Sequence, residues 1–372
     1  MIKLARQREE KKERSVYALV GHQGLAVMFC VVMGLVGCDG HGAQPVEVKA
    51  NRVWNMPADS GRIPGPRSAT ANENGEVLVL DNGGRVLFFN NPIKGDSISG
   101  GGEVIRTWWM PTNKDGNPEG GTWLRDGRVV VADTHYFRLV FFNAAGEIDE
   151  VRGERGKGPG QFEFPVCVRQ DEQTGELYVA EYGGNDRIQV FSEAGEYLRV
   201  IGKPGVGPGE FQRAADLVLH GDLVYVADAI NGRVHVFKKD GTFLRMVGQK
   251  QQEDGKVKQI RKGVAEEKTY DEKAGAGRDV LRGTWGELLF DYPYGIAIGG
   301  KPGEARKLYV IEWGGGRYVR VDLETEEVEG VYGKPGSGEG EFRTPWGIAV
   351  DVDGDVIVAD TENRRVVEVV EE

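Results

Sequence analysis

The stretch Pro345-Trp-Gly-Ile-Ala-Val-Asp-Val-Asp-Gly-Asp-Val-Ile-Val-Ala-Asp360 sets two short apolar runs on either side of an Asp-Gly pair. Such runs are rich in β-branched residues and too short for a helix. Asp-Gly between them is a hairpin signal. Fifteen residues separate Pro345 from Asp360, and the same interval separates Pro118 from Asp133 and Pro66 from Asp81. Pro165 to Glu181 is one residue longer, Ala214 to Asp228 one shorter, and Pro293 to Glu312 carries four more. The acidic residues that end these units, at 81, 133, 181, 228, 312 and 360, are spaced 52, 48, 47, 84 and 48 apart. Self-similarity at this period marks a repeat architecture of six units.

Each unit has the same grammar. A strand follows the Pro, a Gly-containing turn such as Asp126-Gly127 follows the strand, and a second strand ends in the acidic residue. A short polar loop leads to an Arg and a third strand (Arg187-Ile-Gln-Val-Phe191, Arg233-Val-His-Val-Phe237), and a second turn leads to a fourth. Turn signals every 8–12 residues leave room for antiparallel hairpins and none for crossover helices. Four strands in each of six units predict an all-β, six-bladed β-propeller. The last unit ends at Val366-Val-Glu-Val-Val370, its third strand. Its missing fourth strand is found at the other end of the chain, where Arg52-Val-Trp-Asn-Met-Pro57 matches Arg106-Thr-Trp-Trp-Met-Pro111. An N-terminal strand should therefore close the ring and leave no open sheet edge between the first and last blades.

The first forty residues differ in character. Residues 1–14 carry six Lys/Arg against three Glu, and an apolar run from Val16 to Gly37 ends in Leu35-Val-Gly-Cys38. A basic segment, an apolar segment and small residues before a cysteine read as an export signal. Leu-x-Gly-Cys resembles the bacterial lipobox, which implies cleavage after residue 37, lipidation of Cys38 and an extracytoplasmic body tethered to a membrane of the cell envelope. Residues 38–45 are then a linker and 46–372 the propeller. Removing residues 1–37 takes the formal charge from −11 to −14. So acidic a body argues against nucleic acid as a partner. Cys167 is the one cysteine after Cys38, so no internal disulfide is expected.

The repeat units resemble NHL repeats, whose pattern runs G-x-F-x-x-P-x-G-[IV]-A-V-D-x-x-G-x-[IL]-Y-V-A-D-x-x-N-x-R-[IV]-x-V-F. Phe342 to Val367 fits almost throughout and Phe162 to Phe191 well. Phe211 to Phe237 lacks the Pro, and the first two units lose the leading Phe. The resemblance implies that the pairs Asp81/Arg85, Asp133/Arg138, Glu181/Arg187, Asp228/Arg233, Glu312/Arg317 and Asp360/Arg365 are structural. Their recurrence in every unit agrees with this. It also explains the motif Gly156-Lys-Gly-Pro-Gly160, which recurs at 205–209 and 336–340 before a new unit. A dinucleotide loop would follow a strand and open a helix; these copies mark blade boundaries.

Residues that differ between units are better candidates for function. The position after the Pro opens the innermost strand, at the mouth of the central channel. Round the ring it reads Arg67, Glu119, Val166, Ala215, Tyr294 and Trp346: charged on one flank, aromatic on the other. Loops on the same face add His135, Tyr136, Tyr182 and Trp313. Aromatic walls with a few polar groups are a common form of binding site. The charged segment 249–286 enters a first strand on this face and reads as a solvated or partly helical excursion, a tolerated insertion more than a lid. Catalytic signals are thin. His41, His135, His220 and His235 are scattered over the repeat and do not converge as a zinc site, whereas the amidating lyases that share this repeat use several channel histidines. A carboxylate-based metal site, as in lactonase-type propellers, would need Glu119 with Asp216 or Glu181. Asp351-Val-Asp-Gly-Asp355 lacks the spacing of a calcium loop and falls where every other unit has a hairpin turn. Cys167 reads as a small packing residue.

The expectation is an extracytoplasmic binding or scaffolding module for a protein, peptide or carbohydrate, with no cofactor. The alternative is a metal-dependent lyase or lactonase-type hydrolase, and under it alone is calcium or zinc expected in the channel.

Overall fold

The computed structural model describes residues 46–90, 103–111, 118–247, 250–251, 257–258 and 290–370. Apart from one 3₁₀ turn at Thr134–Tyr136, these are strands and turns, and no helix among them is long and apolar enough to cross a membrane. The signal segment 1–37, Cys38, the linker with His41, and most of the 249–286 segment lie outside the described residues. Within that segment Lys250–Gln251 pairs antiparallel with Val257–Lys258.

Six four-stranded antiparallel sheets make up the ring, five of them hydrogen-bonded in chain order from the inside out and the sixth closed by the first strand of the chain. Their innermost strands are Pro66–Ala71, Gly120–Trp123, Phe164–Gln170, Ala214–His220, Pro293–Gly299 and Gly347–Val350, in blades one to six. Blade six is completed by Lys49–Asn55, which pairs antiparallel with Arg365–Val370 and sets Trp54 opposite Val366. The closing strand starts three residues before the matched Arg52, with an irregularity between Ala50 and Arg52. Upstream of it the Val46 N–H donates to Val331 O of blade five, 2.7 Å away.

The core lies between blades, not within them. Alternate residues of a strand face opposite ways, so each sheet presents one apolar face to each neighbour. Six clusters result, one at every blade–blade interface. At the closure, Trp54 of blade six is 1% exposed and packs with Val77, Val79, Leu87 and Phe89 of blade one. Phe162, Phe211 and Phe342, the leading aromatics of three units, are fully buried at the interfaces they open. Each contributes about 2 kcal/mol through removal of its ring from water.

All six acidic residues meet their Arg. Arg85 Nε lies 2.7 Å from Asp81, Arg138 Nε 2.8 Å from Asp133 and Arg187 Nε 2.6 Å from Glu181. Arg233 Nε is 2.9 Å from Asp228 and Arg365 Nε 2.7 Å from Asp360, and Arg317 pairs with Glu312. The far end of the guanidinium explains the glycine motif. Arg187, Arg233 and Arg365 donate through NH2 to the carbonyls of Gly158, Gly207 and Gly338, at 3.0, 2.9 and 2.9 Å. The N–H groups of the same glycines donate to Gln161, Glu210 and Glu341 at 3.1, 2.9 and 2.8 Å. Gly160, Gly209 and Gly340 adopt φ of +75, +75 and +67°, a conformation open to glycine and strained for most other residues. The loop is an internally satisfied clasp between blades, and these glycine donors are taken by side chains of the fold and not left for a bound anion. Asp351 Oδ1 likewise accepts from the Asp353 and Asp355 N–H groups at 3.0 and 2.9 Å, which closes a hairpin turn.

Candidate functional site

The innermost strands run close together around the axis. A Cβ on Gly120 would lie 2.3 Å from Val166 O, and one on Gly347 2.7 Å from Ser68 Cα, so these positions accept no side chain and the channel stays narrow. At its mouth the six residues that follow the repeat Pro, namely Arg67, Glu119, Val166, Ala215, Tyr294 and Trp346, line one cavity. Arg169, Arg213 and Asp216 join them. The cavity volume is ≈30 Å³, room for about two water molecules.

The sequence places charge and aromatic rings on opposite flanks, but ring closure brings blade six beside blade one and so puts them in contact. The Arg67 guanidinium carbon sits 3.7 Å from the centre of the Trp346 ring. Tyr294 packs against Trp346 with centroids 4.9 Å apart and stacks on Trp313 at 5.9 Å. A second guanidinium, that of Arg213, lies 4.1 Å from the Tyr182 ring and 4.9 Å from the Tyr294 ring. Stacking on aromatic faces holds both guanidinium planes and leaves their edge N–H groups to make hydrogen bonds. The Arg67 Nε is shielded from water and has no hydrogen-bond partner among the described residues. Burial holds the Arg67 guanidinium below the ordinary arginine range; Glu119 and Tyr294 oppose this and Arg213 reinforces it. Glu119 is 3.8 Å from Arg213 NH2. Burial, then the Glu119 charge, push the Tyr182 phenol up to about 12, so that it stays protonated.

Deeper in the channel the charges cancel. Arg169 NH2 lies 2.9 Å from Asp216 Oδ1. Asp216 also accepts from the Cys167 thiol at 2.8 Å, from Leu217 N–H at 2.9 Å and from Ile296 N–H at 3.0 Å. Burial pushes the Cys167 thiol well up, which makes it a neutral donor and a poor nucleophile. Asp216 thus ties blades three, four and five together from inside.

Not every residue on this face reaches the cavity. His135 and Tyr136 sit on the 3₁₀ turn of blade two, outside its lining. His135 meets Phe164 edge-on at 5.8 Å, and Tyr136 lies under Arg138 at 4.9 Å. Tyr182 and Trp313 form a second row behind Arg213 and Tyr294. Glu181 is fully buried and turned into its own blade, where it accepts from Arg187 and from Glu163 N–H at 2.8 Å. His220 ends the inner strand of blade four, away from the mouth. His235 is buried against Phe211, Phe237 and Phe243, and neither ring nitrogen has a hydrogen-bond partner among the described residues. Among the described residues no three His, Cys, Asp or Glu side chains are grouped to hold a metal ion.

Arg213 is the residue that reading by position overlooked, because it stands one place before the repeat Pro position, at which this unit has Ala214. Its φ is +73°, left-handed for a residue with a side chain, which costs about 1–2 kcal/mol. The conformation is held by Asp186 of blade three, whose carboxylate accepts the Arg213 N–H, and it turns the guanidinium over the mouth. The same left-handed turn stands before the repeat Pro at Tyr292 and Thr344, with φ of +53 and +45°, so the available signal was the repeat register one place upstream of the Pro position.

Comparison with known proteins bears on the fold. Residues 342–368 match the NHL repeat, and residues 168–220 match a family described as a 6-bladed beta-propeller. Over 35 residues the chain is 63% identical to Protein lin-41 of Caenorhabditis elegans, a stretch that is 9% of this chain and 3% of that protein. Among solved structures, virginiamycin B lyase from Staphylococcus aureus superposes with a TM-score of 0.54 at 15% identity, over 86% of this chain and 99% of that one. A protein of unknown function from Bacteroides thetaiotaomicron gives 0.54 at 17% identity, over 87% and 72%. A nidogen/laminin complex gives 0.51 at 13%, over 84% and 96%. At these identities the likeness is one of fold.

Proposed function

We propose that this NHL-repeat propeller is a binding module, tethered through Cys38 on the extracytoplasmic side of a membrane, which takes a protein or peptide ligand at the channel mouth. One observation carries the reading. The positions that recur identically from blade to blade are used up in clasps between neighbours, whereas the positions that differ converge on one cavity with stacked guanidiniums and aromatic walls. Aromatic and Arg side chains are the residue types that dominate binding energy at interfaces. The two carboxylates nearest the channel axis, Glu119 and Asp216, already face Arg213 and Arg169, an arrangement suited to orienting guanidiniums.

The test is capture of ligands from the native envelope fraction by the full chain and by a variant carrying both Arg67→Ala and Trp346→Ala. Loss of a captured partner in the variant is expected; its retention would overturn the proposed face. Stoichiometric calcium or zinc in the purified protein would instead favour the lyase or lactonase-type reading, for which the superposition on virginiamycin B lyase is the precedent in fold.

A further inference from the structure

We infer that the cavity between Arg67 and Arg213 receives a single carboxylate group, the terminus of an extended ligand whose remainder leaves through the channel mouth. The inference rests on the binding-module reading and specifies which group that face recognises.

Charge comes first. Of the side chains lining the cavity, Arg67, Arg169 and Arg213 are cationic and Glu119 and Asp216 anionic. The site therefore carries one net positive charge inside a chain whose net charge is −11. Arg169 is neutralised by Asp216 at 2.9 Å, and Glu119 pairs with Arg213 at 3.8 Å while its charge also bears on Arg67. Asp186 turns its carboxylate to the backbone N–H groups of Arg213 and Gly184. The cation left without an ion pair among the described residues is Arg67, whose Nε also has no hydrogen-bond partner there. A charge withdrawn from water without a partner is costly, and proteins retain one where a ligand supplies the counter-charge.

Geometry comes second. Arg67 lies over the Trp346 ring at 3.7 Å and Arg213 over the Tyr182 ring at 4.1 Å, and both guanidiniums line the cavity. A planar fork of N–H donors matches the two oxygens of a carboxylate. Size comes third. A volume of ≈30 Å³ suits a group the size of a carboxylate. One net positive charge is balanced by a monoanion, and a phosphate dianion would leave the narrow channel with an excess negative charge. Together these features select a terminal carboxylate, such as the free C-terminus of a peptide.

Calorimetric titration of the purified full chain decides the matter. The probes are an N-acetylated tripeptide with a free C-terminal carboxylate, the same tripeptide as its C-terminal amide, and inorganic phosphate. The acid should bind at least about tenfold more tightly than the amide, and Arg67→Met or Arg213→Met should each weaken the acid by about tenfold, as expected for loss of one charge-assisted contact. Glu119→Gln raises the site charge by one and should improve phosphate binding severalfold. Equal binding of acid and amide would overturn the inference. So would phosphate binding as tight as the acid in the unaltered chain, no binding of the acid at millimolar concentration, or full binding by Arg67→Met and Arg213→Met chains that melt normally. If envelope capture depends on Trp346 while the tripeptide acid does not bind, the carboxylate assignment fails and the binding face stands. If the acid binds and no macromolecular partner is captured, the reverse holds.

Discussion

Two sets of arginines occupy this propeller. Those of the repeat, Arg233 being one example, lie against a buried carboxylate and donate their remaining N–H groups to backbone carbonyls, here Gly207 and Glu210 at 2.9 Å each. Those of the channel mouth, Arg67 and Arg213, lie on aromatic rings, and Arg67 keeps its Nε–H in hand among the described residues. Side chains of one type are thus spent on stability where every valence is satisfied within the fold, and remain available for recognition where the fold supplies only a platform. A guanidinium is suited to both because its plane can stack while its edge donates.

The largest expected effect lies on the repeat side. Arg233→Ala strands the fully buried Asp228 carboxylate and unties a blade boundary, and should lower unfolding free energy by about 3–5 kcal/mol in urea titrations. Arg67→Met is the contrasting substitution. It removes an unpaired charge along with the stack on Trp346, so the change should stay within about 1 kcal/mol. A loss as large as that of Arg233→Ala would mean that Arg67 is structural after all. Arg213→Gly is subtler, because glycine accepts φ of +73° freely. Melting should be unchanged or raised slightly while ligand capture falls, and a marked drop in melting temperature would contradict a recognition role.

The smallest effect is in pH dependence. Burial pushes the Asp228 carboxyl up to about 7, against the pull of Arg233, Asn231 and the Gln212 N–H. A carboxyl raised above its unfolded value of 3.8 contributes stability that is full below that value and is lost as pH rises through about 7. His235 acts oppositely: burial holds it well below 6.5, so its contribution is full above 6.5 and is lost as pH falls. Melting temperature should therefore peak near about pH 6 and fall by a few degrees toward pH 8. Asp228→Asn should flatten the alkaline side; if the slope persists, another group is responsible.

The six-bladed architecture was legible because the interval from Pro345 to Asp360 recurs at Pro66 and Pro118, and because the unfinished last unit found its missing strand around Trp54. Such patterns survive in sequence because every blade must bury the same two faces. The converging positions Arg67, Glu119, Tyr294 and Trp346 were legible for the same reason, since repeat register states which residue opens each inner strand. His135 and Tyr136 share the face but not the cavity, because the 3₁₀ turn carries them outward over Phe164 and Arg138.

Periodicity was sufficient to specify blade number, strand order and ring closure, and the resemblance to NHL repeats, with the recurrence of the pairs, marked the Asp/Glu–Arg pairs as structural. The stack of Arg67 on Trp346, the seating of Arg213 over Tyr182 and Tyr294, and the neutralisation of Arg169 by Asp216 each join residues from different blades. They exist only once six sheets have closed on one axis. Contacts of that kind depend on where the ring brings distant segments together, and no spacing along the chain encodes them.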